Sequence, residues 1–340
     1  MKVICTYLCF CAIPLLAAVD GTVVNKTTGQ PQAGATVTLY KLGSAGMESV
    51  ESVKSGPGGK FVINQNPQGP HLIQTAFDGV TYNHMLPPGS PTSGISLEVY
   101  NSSKHPGDAR ISRHFLILQP RGDQLKVNEG FIFMNNGTMT YNDPDGGTLK
   151  FYLPAATKGI AQVKATAPQG MPIDRAVDKT NQKDIYKVDF PVKPGETSFQ
   201  ISYVVPYSSG GAFEGKTVPK TDEPTLLVVP TGVTLKGEGV ENKGQEPRSK
   251  ASIYGVKTAS YKVEITGSMP AEAANADSDS GDNGPSLEEV SPKILQQNMK
   301  WILALAFGIL ALGFIVLYRA QPAAASTGPT AKGKNERGRR

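Results

Sequence analysis

The chain has little of the chemistry from which most enzymes are built. Its 340 residues include three cysteines, Cys5, Cys9 and Cys11, all inside the first apolar run. Removal of that run leaves no thiol, and so no disulfide framework, thiolate nucleophile or cysteine metal site. The four histidines, His71, His84, His105 and His114, show no His-x-x-x-His or related ligand spacing, although His105 and His114 are near enough in sequence to meet. A Gly-x-Ser-x-Gly nucleophile elbow is missing too. Aromatic residues are 7% and charged residues 19% of the chain, whereas glycine and proline number 37 and 26. Many turns and few charges suit short strands better than long helices. No catalytic, cofactor-binding or metal-ligating residue is assigned, and no cofactor is expected.

A basic stripe on the folded body is also lacking. The net charge is +5 and the isoelectric point about 8.9, but the excess is concentrated at the C-terminus. Over residues 19–299, 26 basic side chains face 28 acidic ones. Nucleic-acid binding needs a basic face on the domain itself, so no nucleic-acid partner is expected.

What is present begins with two apolar runs. Lys2 precedes the run 3–16, which ends on the small pair Ala17-Ala18; residues 1–18 have the build of a secretory signal peptide. The second run, WILALAFGILALGFIVLY at 301–318, carries no charge and is eighteen residues long, with Trp301 and Tyr318 at its ends and Lys300 and Arg319 outside them. That length crosses a hydrocarbon core of about 30 Å, and the amphipathic rings suit the headgroup level. Residues 300–319 are therefore expected to form a single transmembrane α-helix. The basic segment 320–340 is expected in the cytoplasm, because translocation disfavours Lys and Arg near a span. Residues 271–299, acidic, small and polar over most of their length, are expected to be a disordered stalk.

Between leader and stalk the period is two. Thr36 to Tyr40, Lys60 to Ile63 and Ile95 to Tyr100 alternate, as do Tyr186 to Phe190, Phe199 to Val205 and Tyr261 to Ile265. The expected fold class is all-β, with two tandem β-sandwich regions at 19–104 and 105–270, the second immunoglobulin-like.

In the first region Gly21, Val23, Gly29, Pro31, Gly34, Ala35, Val37, Leu39, Gly59 and Phe61 carry a resemblance. This pattern resembles the carboxypeptidase regulatory-like domain, a small transthyretin-like or carbohydrate-binding-like sandwich found in bacterial surface and periplasmic proteins. The resemblance implies a fold and not an activity. Related surface modules form a Lys–Asn isopeptide bond from a lysine in the first strand; Lys26 falls in the turn after it.

Several short motifs invite chemistry. Residues 210–217, GGAFEGKT, satisfy the Walker A spacing, but Pro219 and Pro224 forbid the helix that a phosphate-binding loop requires. Asp143-Pro144-Asp145-Gly146 hints at a calcium loop; counting back from Gly146 puts Tyr141 first and Tyr152 last, where carboxylates belong. It reads as a turn. Arg121-Gly122-Asp123 is an integrin-type tripeptide in turn chemistry, and Asn25, Asn101 and Asn136 open glycosylation sequons. Tyr82, Tyr100 and Tyr207 flank loops and are candidates for sugar stacking or core capping.

These features describe a non-enzymatic protein of the bacterial envelope, anchored by one span in the inner membrane. Its ectodomain would be periplasmic or extracellular and its C-terminus cytoplasmic. The expected partners are the membrane and an envelope protein. A glycan ligand is the alternative, and a metal- or carboxylate-dependent hydrolase the second, since a sandwich can bring distant carboxylates together.

Overall fold

The computed structural model describes residues 19–44 and 46–267; the expected leader, stalk, span and tail lie outside them. The described body is all-β, with one short 3-10 turn at Pro57–Gly59. Among the described residues no helix is long and apolar enough to cross a membrane.

The first lobe contains β1 (Val19–Asn25), β2 (Gln30–Pro31), β3 (Thr36–Gly43), β4 (Gly46–Lys54), β5 (Lys60–Ile63), β6 (His71–Phe77), β7 (Val80–Leu86) and β8 (Ile95–Val99). One sheet centres on β1, which pairs with β2 and β5 antiparallel and with β8 parallel; the other runs β4-β3-β6-β7. Alternation selects the inward side chains. Phe61 and Ile63, then Ile95, Leu97 and Val99, go inside while their neighbours face water. Each such fully buried aliphatic or Phe side chain contributes roughly 1.5–3 kcal/mol relative to exposure. Gly59 shows why glycines carry the pattern of this lobe: φ is +71°, and a Cβ there would sit 2.4 Å from the Val23 carbonyl oxygen.

The second lobe follows β9 (Ser102–Ser103). It comprises β10 (Ala109–Arg121), β11 (Gln124–Asn135), β12 (Thr140–Tyr141), β13 (Leu149–Tyr152), β14 (Lys158–Thr166), β15 (Ile173–Arg175), β16 (Asp178–Lys179) and β17 (Ile185–Val188). Then come β18 (Gly195–Pro206), β19 (Ala212–Lys216), β20 (Thr225–Val229), β21 (Val233–Lys236), β22 (Val240–Gln245), β23 (Ser252–Val256) and β24 (Ser260–Gly267). An eight-stranded sheet in the order β15-β14-β18-β11-β10-β20-β23-β22 shares one core with two three-stranded sheets, β13-β17-β16 and β19-β24-β21. This is larger than the expected immunoglobulin-like sandwich, and its smaller layer is divided in two. Eight strands supply the width, and the β10–β11 and β11–β18 antiparallel ladders, each running for about the full length of its strands, extend the sheet along the strand direction.

The two lobes meet without a free linker. β9, the connection itself, pairs in parallel with β12 of the second lobe. Thr140 N–H donates to Asn101 O (2.9 Å) and Asn142 N–H to Ser103 O (2.8 Å). From the first lobe, Tyr82 donates to Tyr100 O (3.0 Å) and its oxygen lies 2.9 Å from Thr140 Oγ1. Thr27 Oγ1 donates to Thr138 O, and Lys193 Nζ to Thr81 O. The sequence boundary at 104 falls just beyond this seam.

Candidate functional site

β11 carries Leu125, Val127, Glu129, Phe131 and Phe133 on one face, and that face is the core. Parity therefore drives a carboxylate inside. β10 does the same with His114, which shares its face with Leu116 and Leu118. The register places His114 opposite Phe131 and Leu116 opposite Glu129, so the acid and the imidazole lie diagonally across one strand pair. Glu129 Oε1 is 2.8 Å from His114 Nε2, His114 Nδ1 is 2.9 Å from Thr225 Oγ1, and Thr225 Oγ1 is 2.7 Å from Thr217 Oγ1. The imidazole stacks on Phe131 at 4.1 Å. An ionised carboxylate only accepts, so Nε2–H is the donor to Glu129 and Nδ1 is left to Thr225.

The order carboxylate, imidazole, hydroxyl is that of a nucleophilic relay. Here, however, His114 is 0% and Thr225 4% exposed, so the hydroxyl is sealed from any substrate in this conformation. The arrangement ties β10, β11 and β20 together. Among the described residues Glu129 Oε2 is buried without a hydrogen-bond partner. Its charge faces phenols: Tyr203 and Tyr261 are both pushed well above the usual tyrosine range, first by burial and then by Glu129.

A depression of about 390 Å³ opens where the end of β13 meets the β19–β24 ladder, which is the division in the smaller layer. Gly215 and Tyr261 form one cross-strand pair there. A Cβ on Gly215 would lie 2.3 Å from the Tyr261 ring, so glycine is what lets the phenol lie across the strand. The neighbouring pairs are Glu214 with Lys262 and Lys216 with Ser260, all exposed. Glu214 Oε1 meets Lys262 Nζ at 2.8 Å, and that contact raises the lysine's pKa. Tyr152, at the end of β13, completes the lining; burial, then the charges of Asp184 and Glu214, raises its phenol.

The motifs singled out in the sequence end up in ordinary places. Walker-spaced residues 212–216 are the strand β19, and no helix follows Lys216-Thr217. Asp143 Oδ1 accepts from Gly146 N–H (2.9 Å) and so serves the turn, while Asp145 pairs with the distant Lys104 at the surface (2.6 Å). Arg121-Gly122-Asp123 is the β10–β11 hairpin, with Gly122 at φ 58°. Lys26 pairs with Glu98 (3.2 Å) at the surface. Asn25 is buried and donates to Gln32 and Asn101, whereas Asn136 is exposed. Tyr82, Tyr100 and Tyr207 all engage the fold, the last through Ile265 O (3.1 Å). His105 is exposed and its N–H donates to Ser103, apart from the sealed His114. Among the described residues no group of three or more His, Cys, Asp or Glu is placed to hold a metal ion.

Sequence reading missed the depression and the buried pair. Glu129 had a signal, a carboxylate on the apolar parity of an alternating strand. Tyr152, Ser260 and Lys262 had none, since only the strand pairing assembles them.

No family model matches the chain, and no curated protein matches it. Among solved structures, the crystal structure of the M1 zinc metallopeptidase from Deinococcus radiodurans overlaps 46% of this chain and 42% of its own, at 12% identity and a TM-score of 0.25. The chain thus spans less than half of that enzyme, and a likeness so slight carries neither fold nor activity across.

Proposed function

We propose that the chain is a non-enzymatic, membrane-anchored envelope protein whose two-lobed β body is a rigid binding platform for an envelope partner. The observation that supports it is the seam. The connection β9 is itself a strand of the second lobe's ladder, and Tyr82, Thr27 and Lys193 bridge the lobes around it. A body held this way presents its faces in one fixed relation, which favours docking through preorganisation. The resemblance of the first lobe to the carboxypeptidase regulatory-like domain agrees with an appended module. The leader at 1–18 and the span at 300–319 would place that body outside the cytoplasm.

Two measurements test the reading. Alkaline phosphatase fused after Gly267 is expected to be active and after Arg340 inactive; equal activity at both would remove the anchor. Site-specific photocrosslinking from the lobe surfaces in the native host is expected to trap the same partner from both lobes. Crosslinks from neither lobe would remove the platform.

A further inference from the structure

We propose that the depression between β13 and the β19–β24 ladder is a binding site for an acidic saccharide, a hydroxylated ring bearing a carboxylate. The inference deepens the binding-platform reading and rests on it. Four properties of the hollow point to that chemistry. First, it has room: about 390 Å³, within the ~300–1,000 Å³ range of small-ligand clefts. Second, it has an aromatic wall. Tyr152 belongs to the lining and is partly exposed, and an aromatic ring of this kind can stack on the C–H face of a sugar. Third, it has a cation to spare. Glu214 takes Lys262, and no ion pair of Lys216 is formed among the described residues, so the exposed Lys216 ammonium is left for an anion. Fourth, it has a row of mixed donors and acceptors: Ser260 stands opposite Lys216, and the Glu214–Lys262 pair is two steps along the ladder, on the same face. Such a row suits adjacent hydroxyls, each of which both donates and accepts.

The floor is fixed. Tyr261, 6% exposed, lies over Gly215, and any side chain at 215 would collide with it. The hollow is therefore built into the ladder rather than left by a loose side chain. Lys216 and Gly215 also belong to the Walker-spaced segment, so this site gives that segment a role as strand residues without any nucleotide chemistry.

Isothermal calorimetry on the full chain in a zwitterionic detergent tests the assignment. The probes are a galacturonate trisaccharide, the matching neutral galactose trisaccharide, sodium acetate and inorganic phosphate. The uronate is expected to bind about tenfold more tightly than the neutral sugar, the contribution of one charge-assisted contact. Lys216→Met is expected to abolish that preference and keep the weak neutral binding; Tyr152→Ala is expected to lose both. Lys216 is exposed and Tyr152 partly so, and unchanged circular dichroism will show that each variant still folds. Absence of saturable binding to both sugars would overturn the site. Binding untouched by both substitutions would place it elsewhere and overturn it equally. Acetate or phosphate binding as tight as the uronate would mean a simple anion site and overturn the saccharide class. A crosslinked protein partner alongside absent sugar binding would leave the platform reading standing and sink only this one.

Discussion

The Lys193 ammonium of the second lobe lies 5.0 Å from the centroid of the Tyr82 ring of the first, and it donates to the carbonyl of the neighbouring Thr81. A cation is thereby held in the seam between two apolar cores. The cost of its position is visible in its titration, since burial lowers the Lys193 pKa from 10.5 to about 8.

That shift fixes a pH dependence. The folded chain releases the Lys193 proton near pH 8 and the unfolded chain only near 10.5. Between these values the unfolded state binds more protons, so stability rises with pH across this window. Below pH 8 burial of the charge costs up to about 3 kcal/mol. Tyr82, pushed up to about 12, acts in the opposite sense, but only above its ordinary value near 10. Lys193→Met is therefore expected to raise the urea midpoint at pH 7 and to flatten its rise between pH 8 and 10. Parallel profiles for the two proteins would refute the assignment.

Tyr82→Phe tests the other side of the seam. It deletes the hydroxyl that donates to Tyr100 O and meets the buried Thr140 hydroxyl. A loss of about 1–3 kcal/mol is expected, the range for leaving a buried polar group unpaired. Differential scanning calorimetry is expected to show the first lobe unfolding earlier, as a separate transition. A single transition at the wild-type temperature would show that the seam is held by other contacts.

The Glu129–His114 pair calls for a double-mutant cycle. Glu129→Leu alone strands a buried imidazole and is expected to cost about 1–3 kcal/mol. His114→Leu alone likewise leaves the Glu129 carboxylate, already lacking a partner at Oε2, more isolated still. The double substitution puts aliphatic side chains on both and is expected to recover most of the loss. Denaturation curves in which the two losses simply add would mean the residues act independently.

Gly215→Ala probes the floor of the depression. The new methyl would meet the Tyr261 ring at 2.3 Å, and the ring is buried. Overpacking of about 1–3 kcal/mol is expected. In a Tyr261→Leu background the same substitution is expected to cost less than half as much. An equal cost in both backgrounds would locate the strain in the backbone instead.

How much of this was legible beforehand follows from parity. Phe199, Ile201, Tyr203 and Val205 alternate in the sequence and do go inside on β18. The strands that the sequence did not announce include β4, β7, β14, β19, β20, β22 and β23. β4 buries almost nothing along its nine residues, being an edge strand, and so has no apolar face to announce it. β7 runs from Val80 through exposed Asn83, His84 and Met85 to Leu86, and its pattern is broken for the same reason.

The sequence by itself determined the all-β class and the side chains that turn inward, because a period of two assigns each residue to a face whatever lies across from it. It also held the glycines where backbones approach, such as Gly59 against Val23. Only the tertiary structure decided partners. Thr225 reaches His114 across 111 residues and Lys193 reaches Thr81 across 112, through the parallel β10–β20 pairing in one case and the seam in the other. Alternation says that Glu129 points inside; it does not say which strand will stand beside it. That is set by sheet order, which depends on how loops close and which ladders win, and the depression beside Tyr152 exists only because the smaller layer divides there.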